Sequence, residues 1–200
     1  MHPNAAFRFK SADPVLAFVA EYGFAHIFGV TPDGPRIAHA PMLVTDDERL
    51  RFHLANSNDL TPHLDGEPAL VSIGGPGHYI SPNWYADPAM HVPTWNYRSV
   101  EIEGVVRRLS DAELADLLDL SAATFEPRVG EDWTMAKMAP ARAEAMMRAI
   151  TGFELLPGSI RTTDKASQNR NEADARGLVA ALERIGERAG ANAIRRTRGW

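Results

Sequence analysis

The sequence predicts a mainly β fold of the α+β class, a small barrel with peripheral helices. Short stretches with strand-like alternation follow one another in the first half of the chain, and turn residues separate them. Helical patterns are concentrated late in the chain, which is typical of a small barrel and not of parallel βαβ units. The 200 residues, 44% hydrophobic, suffice for one core, so we expect a single domain over residues 1–200.

The first half predicts one helix followed by strands. Asp13 and Pro14 are typical of an N-cap and a first helical residue, and apolar residues then recur at helical spacing. Strand patterns follow at 24–30, 36–44, 50–55 and 68–75, and sequential antiparallel pairing is the simplest arrangement for the first three. Residues 75–97 are rich in proline, glycine and aromatics and predict a long loop.

The second half predicts two strands and three helices. A strand pattern at 98–109 precedes a capping box, Ser110 with Glu113, and Pro127 stops the helix that follows. Another helix is predicted to begin near Pro140, and 152–156 returns to the sheet. The last helices, about 171–198, are expected to pack on the barrel or extend from it. The tail, with Arg195, Arg196 and Arg198, is expected to fray.

Composition excludes several classes of function. The chain has no cysteine, which removes disulfides, thiolate metal sites and cysteine nucleophiles. The net charge of −5 provides no general attraction to nucleic acid. No apolar run reaches the length of a membrane span or signal peptide, so we expect a cytoplasmic protein without membrane contact. His26, His39 and His53 lack a ligand-spaced partner, and no metal site is predicted.

Two groups of residues have alternative interpretations. The aromatics of the predicted loop could cover the core, contact a second subunit or contact a ligand; these are Tyr79, Trp84, Tyr85, Trp95 and Tyr97. The late arginines could approach DNA phosphates, but Glu183 and Glu187 lie among them and favour a solvated helix face; these are Arg184, Arg188, Arg195, Arg196 and Arg198.

The aromatic segment resembles a known family. HYISPNWY at 78–85 and VPTWNY at 92–97 are similar to the most distinctive stretch of the PaiB family of transcriptional regulators. The similarity extends to AHAPMLV at 38–44, FHLANSN at 52–58, GFEL at 152–155 and KASQNRN at 165–171. The resemblance implies an FMN-binding split β-barrel, related to pyridoxamine-phosphate-oxidase-like proteins, that forms a homodimer with flavin between the subunits.

The resemblance also implies which residues bind FMN. The strand pair containing RIAHAPML and LRFHLANSN would cradle the phosphate and ribityl chain, through Ile37, Ala38, His39, His53, Ala55, Asn56, Ser57 and Asn58. Further contacts are expected from Trp95, Asn96, Lys165, Ser167, Gln168 and Asn169, the last four approaching across the interface. Asn56 stands where the family pattern implies an arginine, which weakens the phosphate site, and Lys165 is the expected compensating cation.

Three functions follow as hypotheses. The first is a regulatory dimer that responds to FMN and acts on transcription, with DNA as a partner. The second is an FMN-dependent oxidoreductase, a flavin reductase or oxidase acting on a small molecule. The third is a dimeric scaffold that has lost its cofactor. No catalytic residue is predicted.

Overall fold

The computed structural model describes residues 4–9 and 13–200. The helices are α1 (Asp13–Tyr22), α2 (Asp111–Phe125), α3 (Pro140–Met147), α4 (Glu172–Arg184) and α5 (Arg188–Arg198). The strands are β1 (Phe24–Thr31), β2 (Gly34–Pro41), β3 (Leu43–Val44), β4 (Leu50–Ala55), β5 (Pro68–Ile80), β6 (Thr94–Arg108) and β7 (Ile150–Lys165). The predicted α+β class is confirmed. Helix α1 begins at Asp13, one residue before the predicted first helical residue Pro14, and capping by the Asp13 side chain lies outside the described part.

The seven strands form one sheet in the order β2-β1-β5-β6-β7-β4-β3. The pairs β1–β2, β1–β5, β3–β4 and β4–β7 are antiparallel. The predicted strand at 36–44 divides into β2 and β3. Strand β4 pairs antiparallel with the second part, β3, as expected, and also with β7, whereas β2 is not its neighbour in the sheet. Cα atoms of β2 and β4 nevertheless approach within 8 Å although four strands separate them in the sheet order, so the sheet curls back on itself there.

The chain divides into two compact units. Unit 1 consists of the residues up to Val15 together with 74–100 and 161–200, and unit 2 consists of 16–73 and 101–160. Strands β5, β6 and β7 each run from one unit into the other. In unit 2, large side chains including Phe52 and Phe153 are fully buried, with ring centroids 5.4 Å apart.

The predicted loop at 75–97 is wrong at both ends. Strand β5 continues to Ile80 through Gly74, Gly75 and Pro76, and β6 already begins at Thr94. The irregular connection is therefore 81–93, which holds two short 3₁₀ turns. Local Pro and Gly signals mislead here because pairing with the long neighbouring strand β6 decides the conformation of β5.

The expectation of a frayed tail is also wrong. Residues 188–198 form α5, in which Ala191 and Ile194 are fully buried at 0% exposure. They pack in a unit 1 cluster with residues of β5 and α4, among them Ile80 and Leu182. Burial of one apolar stripe outweighs the arginine-rich composition of the helix.

An ion network supports the unit 2 sheet. The Glu154 carboxylate on β7, which is fully buried, accepts hydrogen bonds from Arg49 (2.8 Å), Arg51 (2.8 Å) and Arg107 (3.1 Å). Arg107 also pairs with Glu113 at 2.8 Å, and Glu113 completes the predicted capping box with Ser110. The network thus ties the start of α2 to strands β4, β6 and β7.

Candidate functional site

A polar cavity of about 330 Å³ lies in unit 2 beside the turn that follows β4. Two separate segments line it, the β1–β2 turn and the residues after β4. The lining residues are Thr31, Asp33, Arg36, Asn56, Ser57, Asn58, Asp59, Pro62 and His63. The polar cavity thus brings the predicted Asn56, Ser57 and Asn58 together with the start of β2.

Arg36 supplies a cation to the polar cavity. Its guanidinium donates to the carbonyl oxygens of Asp33 (3.2 Å) and Pro35 (3.1 Å), which fixes its position on the turn. Its Nε lies 3.8 Å from Oδ2 of Asp59, a side chain that is 79% exposed. Because Asp59 is largely in water, it offsets the charge of Arg36 only in part.

The turn after β4 is held by its own hydrogen bonds. The Asn58 backbone N–H donates to the Ala55 carbonyl (2.9 Å), as does the Thr61 hydroxyl (2.7 Å), and Oδ1 of Asn58 accepts the Leu60 N–H (3.0 Å). Ser57 lies exposed on this turn. Its hydroxyl is therefore presented to the polar cavity by a preorganised backbone.

Asn56 is occupied by structural contacts. Its side-chain amide donates to the Arg148 carbonyl (2.7 Å) and accepts from the Thr151 hydroxyl (2.8 Å), and its backbone N–H donates to the Ala149 carbonyl (2.9 Å). Asn56 therefore ties the end of β4 to the α3–β7 connection. The cation that an arginine would bring at this position is supplied to the same cavity by Arg36.

The β1–β2 hairpin has an exposed face. Its register pairs His26 with His39 and Phe28 with Ile37, and the rings of His26 and His39 lie 4.8 Å apart. Apolar side chains dominate this exposed hairpin face, with exposures of 58% for Phe24, 39% for Phe28, 73% for Val30 and 44% for Ile37. The predicted Ile37 and His39 lie on it, whereas the Ala38 side chain is buried at 1% exposure and offers only its backbone.

His53 and Ala55 occupy a different environment. His53 is half-buried and lines an apolar cavity formed with residues of α2 and α3. Burial lowers the pKa of His53 below its ordinary value, so the imidazole is neutral near pH 7. Ala55 is exposed at the end of β4. The structure thus places His53 and Asn56 in two separate cavities of unit 2.

The 165–171 motif of unit 1 folds as a hydrogen-bonded turn. Asn96 and Ser167, each 3% exposed, bond to each other at 2.9 Å, and Ser167 has a positive φ of 56°. The Gln168 side chain donates to the Asp164 and Ala6 carbonyls and accepts the Ala166 N–H. These side chains therefore form hydrogen bonds that stabilise the turn itself.

Lys165, Trp95 and Asn169 are the other predicted residues of unit 1. The Lys165 ammonium donates to the Thr94 hydroxyl, and burial, together with the charge of Arg170, lowers its pKa. Trp95 is 56% exposed and contacts the Tyr79 ring at 6.0 Å. Asn169 is exposed. In contrast to Trp95, Tyr85 of the aromatic segment belongs to the unit 1 core at 4% exposure.

The tail arginines make internal contacts. Arg195 pairs with Glu183 and Arg196 with Asp164, at 2.7 Å and 2.8 Å. Arg198 donates to the Arg170 carbonyl. These contacts reduce the positive charge that α5 could offer to DNA phosphates.

Within 4–9 and 13–200, no group of three or more His, Asp or Glu side chains is placed to hold a metal ion. Over the same residues, no helix combines the length and the apolar character needed to cross a membrane.

Sequence reasoning missed Arg36 and His63 in the polar cavity. Arg36 lies some twenty positions before Asn56, and only the approach of β2 to β4 brings the two segments together. The aromatic and methionine residues of 133–138 were also missed as cavity residues. Their density of large apolar side chains in a segment without a periodic pattern is the signal that could have found them.

Comparison with known proteins places the chain among flavin-related sequences. Residues 1–156 match the family described as "Putative FMN-binding domain". The curated relative "Protease synthase and sporulation protein PAI 2" of Bacillus subtilis is 29% identical over 181 residues, which cover 88% of this chain and 86% of the relative.

Two solved structures share the fold. The flavocytochrome Anf3 from Azotobacter vinelandii aligns with a TM-score of 0.65 at 15% identity, over 82% of this chain and 72% of that one. The FAD and heme binding protein from Mycobacterium smegmatis aligns with a TM-score of 0.59 at 16% identity, over 79% and 73% of the two chains. The predicted split-barrel fold is confirmed.

Proposed function

The chain belongs to the FMN-binding domain family, and from this premise we propose that it binds FMN with the phosphate in the polar cavity of unit 2. The family match confirms the resemblance to PaiB-type proteins on which the prediction of a flavin rests. A bound flavin supplies the capacity to accept and release a hydride or single electrons. The residues of the chain bind and orient it.

The donor set of the polar cavity is the observation that carries the proposal. A phosphate is bound by cations, hydroxyls and N–H groups, and the cavity contains Arg36, Ser57 and His63 within about 330 Å³. Asp33 and Asp59 also line it and lower its positive potential. The donor set therefore fits a phosphate monoester, and the two carboxylates limit its affinity.

The exposed hairpin face provides a surface for the ring. Strand β2 runs from Arg36 in the polar cavity through Ile37 to His39 on this face, which is three residues from Arg36 and about 10 Å away at some 3.3 Å per residue. Ile37 would form an apolar wall, and the His39 imidazole would offer a hydrogen bond to a ring heteroatom. This arrangement uses residues predicted from the sequence and adds Arg36.

The same face supports a homodimer. Exposed Phe24, Phe28, Val30 and Ile37 form one apolar surface of the hairpin, and such surfaces in water-exposed positions are typical of protein interfaces. A second copy of the chain would cover this face together with the flavin ring. Sedimentation of Ile37→Glu, compared with Arg161→Glu at an exposed position of β7, tests this: the proposal predicts a monomer only for the first variant.

A regulatory role is a more specific proposal than flavin binding alone. The name of the Bacillus subtilis relative refers to protease synthesis and sporulation, and we extend a regulatory role to this chain, in which flavin occupancy alters a dimer that acts on transcription. Retention of labelled promoter DNA by apo and FMN-loaded protein at several salt concentrations tests it. Absence of retention in both forms would contradict direct action on DNA.

An oxidoreductase is the second candidate. The exposed position of Ile37 and His39 would leave a bound ring accessible to a small substrate unless a partner covers it. NADH- or NADPH-dependent bleaching of the flavin absorbance would support this function. A flavin that stays oxidised under anaerobic conditions with both nucleotides would contradict it, and a chain that binds no flavin would leave the scaffold hypothesis.

A further inference from the structure

A second cavity of unit 2 plays no part in the proposed FMN site. Its volume is about 320 Å³, and it lies between β4, α2, the 125–138 segment and α3. We call it the methionine cavity. It is lined by His53, Leu118, Ser121, Ala122, Phe125, Glu126, Trp133, Met135, Met138, Ala143, Met146, Met147 and Ile150.

The lining of the methionine cavity is adaptable. It contains four methionines, whose flexible and polarisable side chains adjust to ligands of different shape and contact aromatic rings favourably. Trp133 and Met146 are 41% and 54% exposed, so the cavity is bordered by side chains that reach solvent. These two side chains therefore form a solvent-facing part of the cavity wall.

His53 is the polar group that most distinguishes this cavity from ordinary core. No hydrogen bond joins its side chain to another residue in the described ranges. Its lowered pKa makes it neutral near pH 7, so one ring nitrogen is a donor and the other an acceptor. An imidazole in apolar surroundings gains from a ligand that supplies the missing hydrogen bond.

The charges around the cavity exclude anions. Glu126 is the carboxylate among the described lining residues, and its Oε2 accepts the Trp133 backbone N–H at 3.3 Å. No lysine or arginine lines the cavity within the described part of the chain. An anionic ligand would therefore meet a carboxylate without a compensating cation, and an uncharged ligand is favoured.

We propose that the methionine cavity binds a small, uncharged aromatic molecule that carries one hydroxyl or ring N–H group, which is hydrogen-bonded to His53. A volume of about 320 Å³ is at the lower end of ligand pockets and suits one or two fused rings. Methionine and aromatic side chains contact the ring faces and edges. The site is distinct from the proposed FMN site, because the two cavities share no lining residue.

Titration calorimetry with 2-naphthol and naphthalene tests the proposal. The two probes differ by one hydroxyl, so their affinity ratio reports the hydrogen bond to His53. Ala143→Phe should fill the cavity and weaken both probes at least tenfold, whereas Ala123→Phe on an exposed position of α2 should leave both unchanged. His53→Leu should reduce the preference for 2-naphthol about fivefold, the usual effect of one hydrogen bond.

Several results would overturn the proposal. The first is the absence of saturable 2-naphthol binding up to its solubility limit. The second is that Ala143→Phe and Ala123→Phe bind the probes with equal affinity. The third is that His53→Leu leaves the ratio of 2-naphthol to naphthalene affinity unchanged. The ratio in His53→Leu is measured independently of Ala143→Phe, so the test remains decisive if the filled variant does not fold. The affinity for FMN is expected to be the same in Ala143→Phe as in the wild type, which separates this site from the flavin site.

Discussion

Arg36 and Asp59 face each other at the polar cavity, with Nε of the arginine 3.8 Å from Oδ2 of the aspartate. One residue precedes β4 in the chain and the other follows it, so this pair spans the two segments that line the cavity. Its two charges act on a phosphate with opposite sign. The pair therefore provides a direct way to vary the proposed site.

Arg36→Gln should weaken FMN binding about tenfold, the usual scale for losing one charge-assisted hydrogen bond. Asp59→Asn should strengthen it severalfold, because it removes a repelling charge. Riboflavin lacks the phosphate, so its affinity should be the same in both variants and in the wild type. Fluorescence quenching of both flavins measures this, and an equal loss of riboflavin affinity in Arg36→Gln would show that Arg36 does not act on the phosphate.

The Arg107–Glu113 pair should make stability depend on pH. Hydrogen bonds from Arg107, together with those from Ser110, lower the pKa of Glu113 to about 2. A carboxylate with a lowered pKa stabilises the folded state above its ordinary pKa, and this contribution is lost as the pH falls from about 4.5 towards 2. Glu113→Gln, which preserves the capping pattern, should flatten this part of the profile.

Urea unfolding at several pH values between 6 and 2 measures that profile. Asp116→Asn, on an exposed position of α2, is the matched control and should retain the wild-type slope. If the free energy of unfolding of Glu113→Gln falls as steeply below pH 4.5 as that of the wild type, the Arg107–Glu113 pair does not cause the pH dependence.

Gly104 is required by close strand contact in unit 2. A Cβ atom at this position would lie 2.2 Å from the Leu156 carbonyl oxygen, a backbone atom of β7. Gly104→Ala should lower the free energy of unfolding by about 2 kcal/mol, because β6 and β7 must separate. Gly74→Ala, where nothing lies within 4 Å of the added carbon, should change it by less than about 1 kcal/mol. Similar losses in the two variants would contradict this account.

The burial of Ile194 predicts that α5 contributes to stability. Its side chain is at 0% exposure, so Ile194→Ala should cost about 2–4 kcal/mol of unfolding free energy. Asn192→Ala, on the exposed side of the same helix, should be nearly neutral. Chemical denaturation compares the two variants. An unchanged free energy of unfolding in Ile194→Ala would contradict the burial of α5 and would indicate the frayed tail that the composition predicts.

Local signals predicted much of the fold. The capping box of Ser110 and Glu113 marked the start of α2 because both partners lie within one turn. The prolines and glycines of 74–77 did not reveal that β5 continues, since the partner strands that hold it are distant in sequence. Ile194 shows the same limit, because its burial depends on α4 and β5 and not on its own helix.

The candidate site was predictable only where the family resemblance supplied it. The resemblance pointed to Asn56–Asn58, but Asn56 is engaged by Arg148 and Thr151, and the cation of the cavity is Arg36. That cation comes from a turn whose approach to β4 depends on the curl of the sheet. No local pattern in the sequence encodes such an approach.

Titration of FMN into the purified chain, followed by quenching of flavin fluorescence, tests the central claim most directly. The account predicts saturable binding of one FMN per chain, with tighter binding of FMN than of riboflavin because the polar cavity holds the phosphate. Absence of saturation up to high micromolar FMN, or equal affinity for the two flavins, would contradict it.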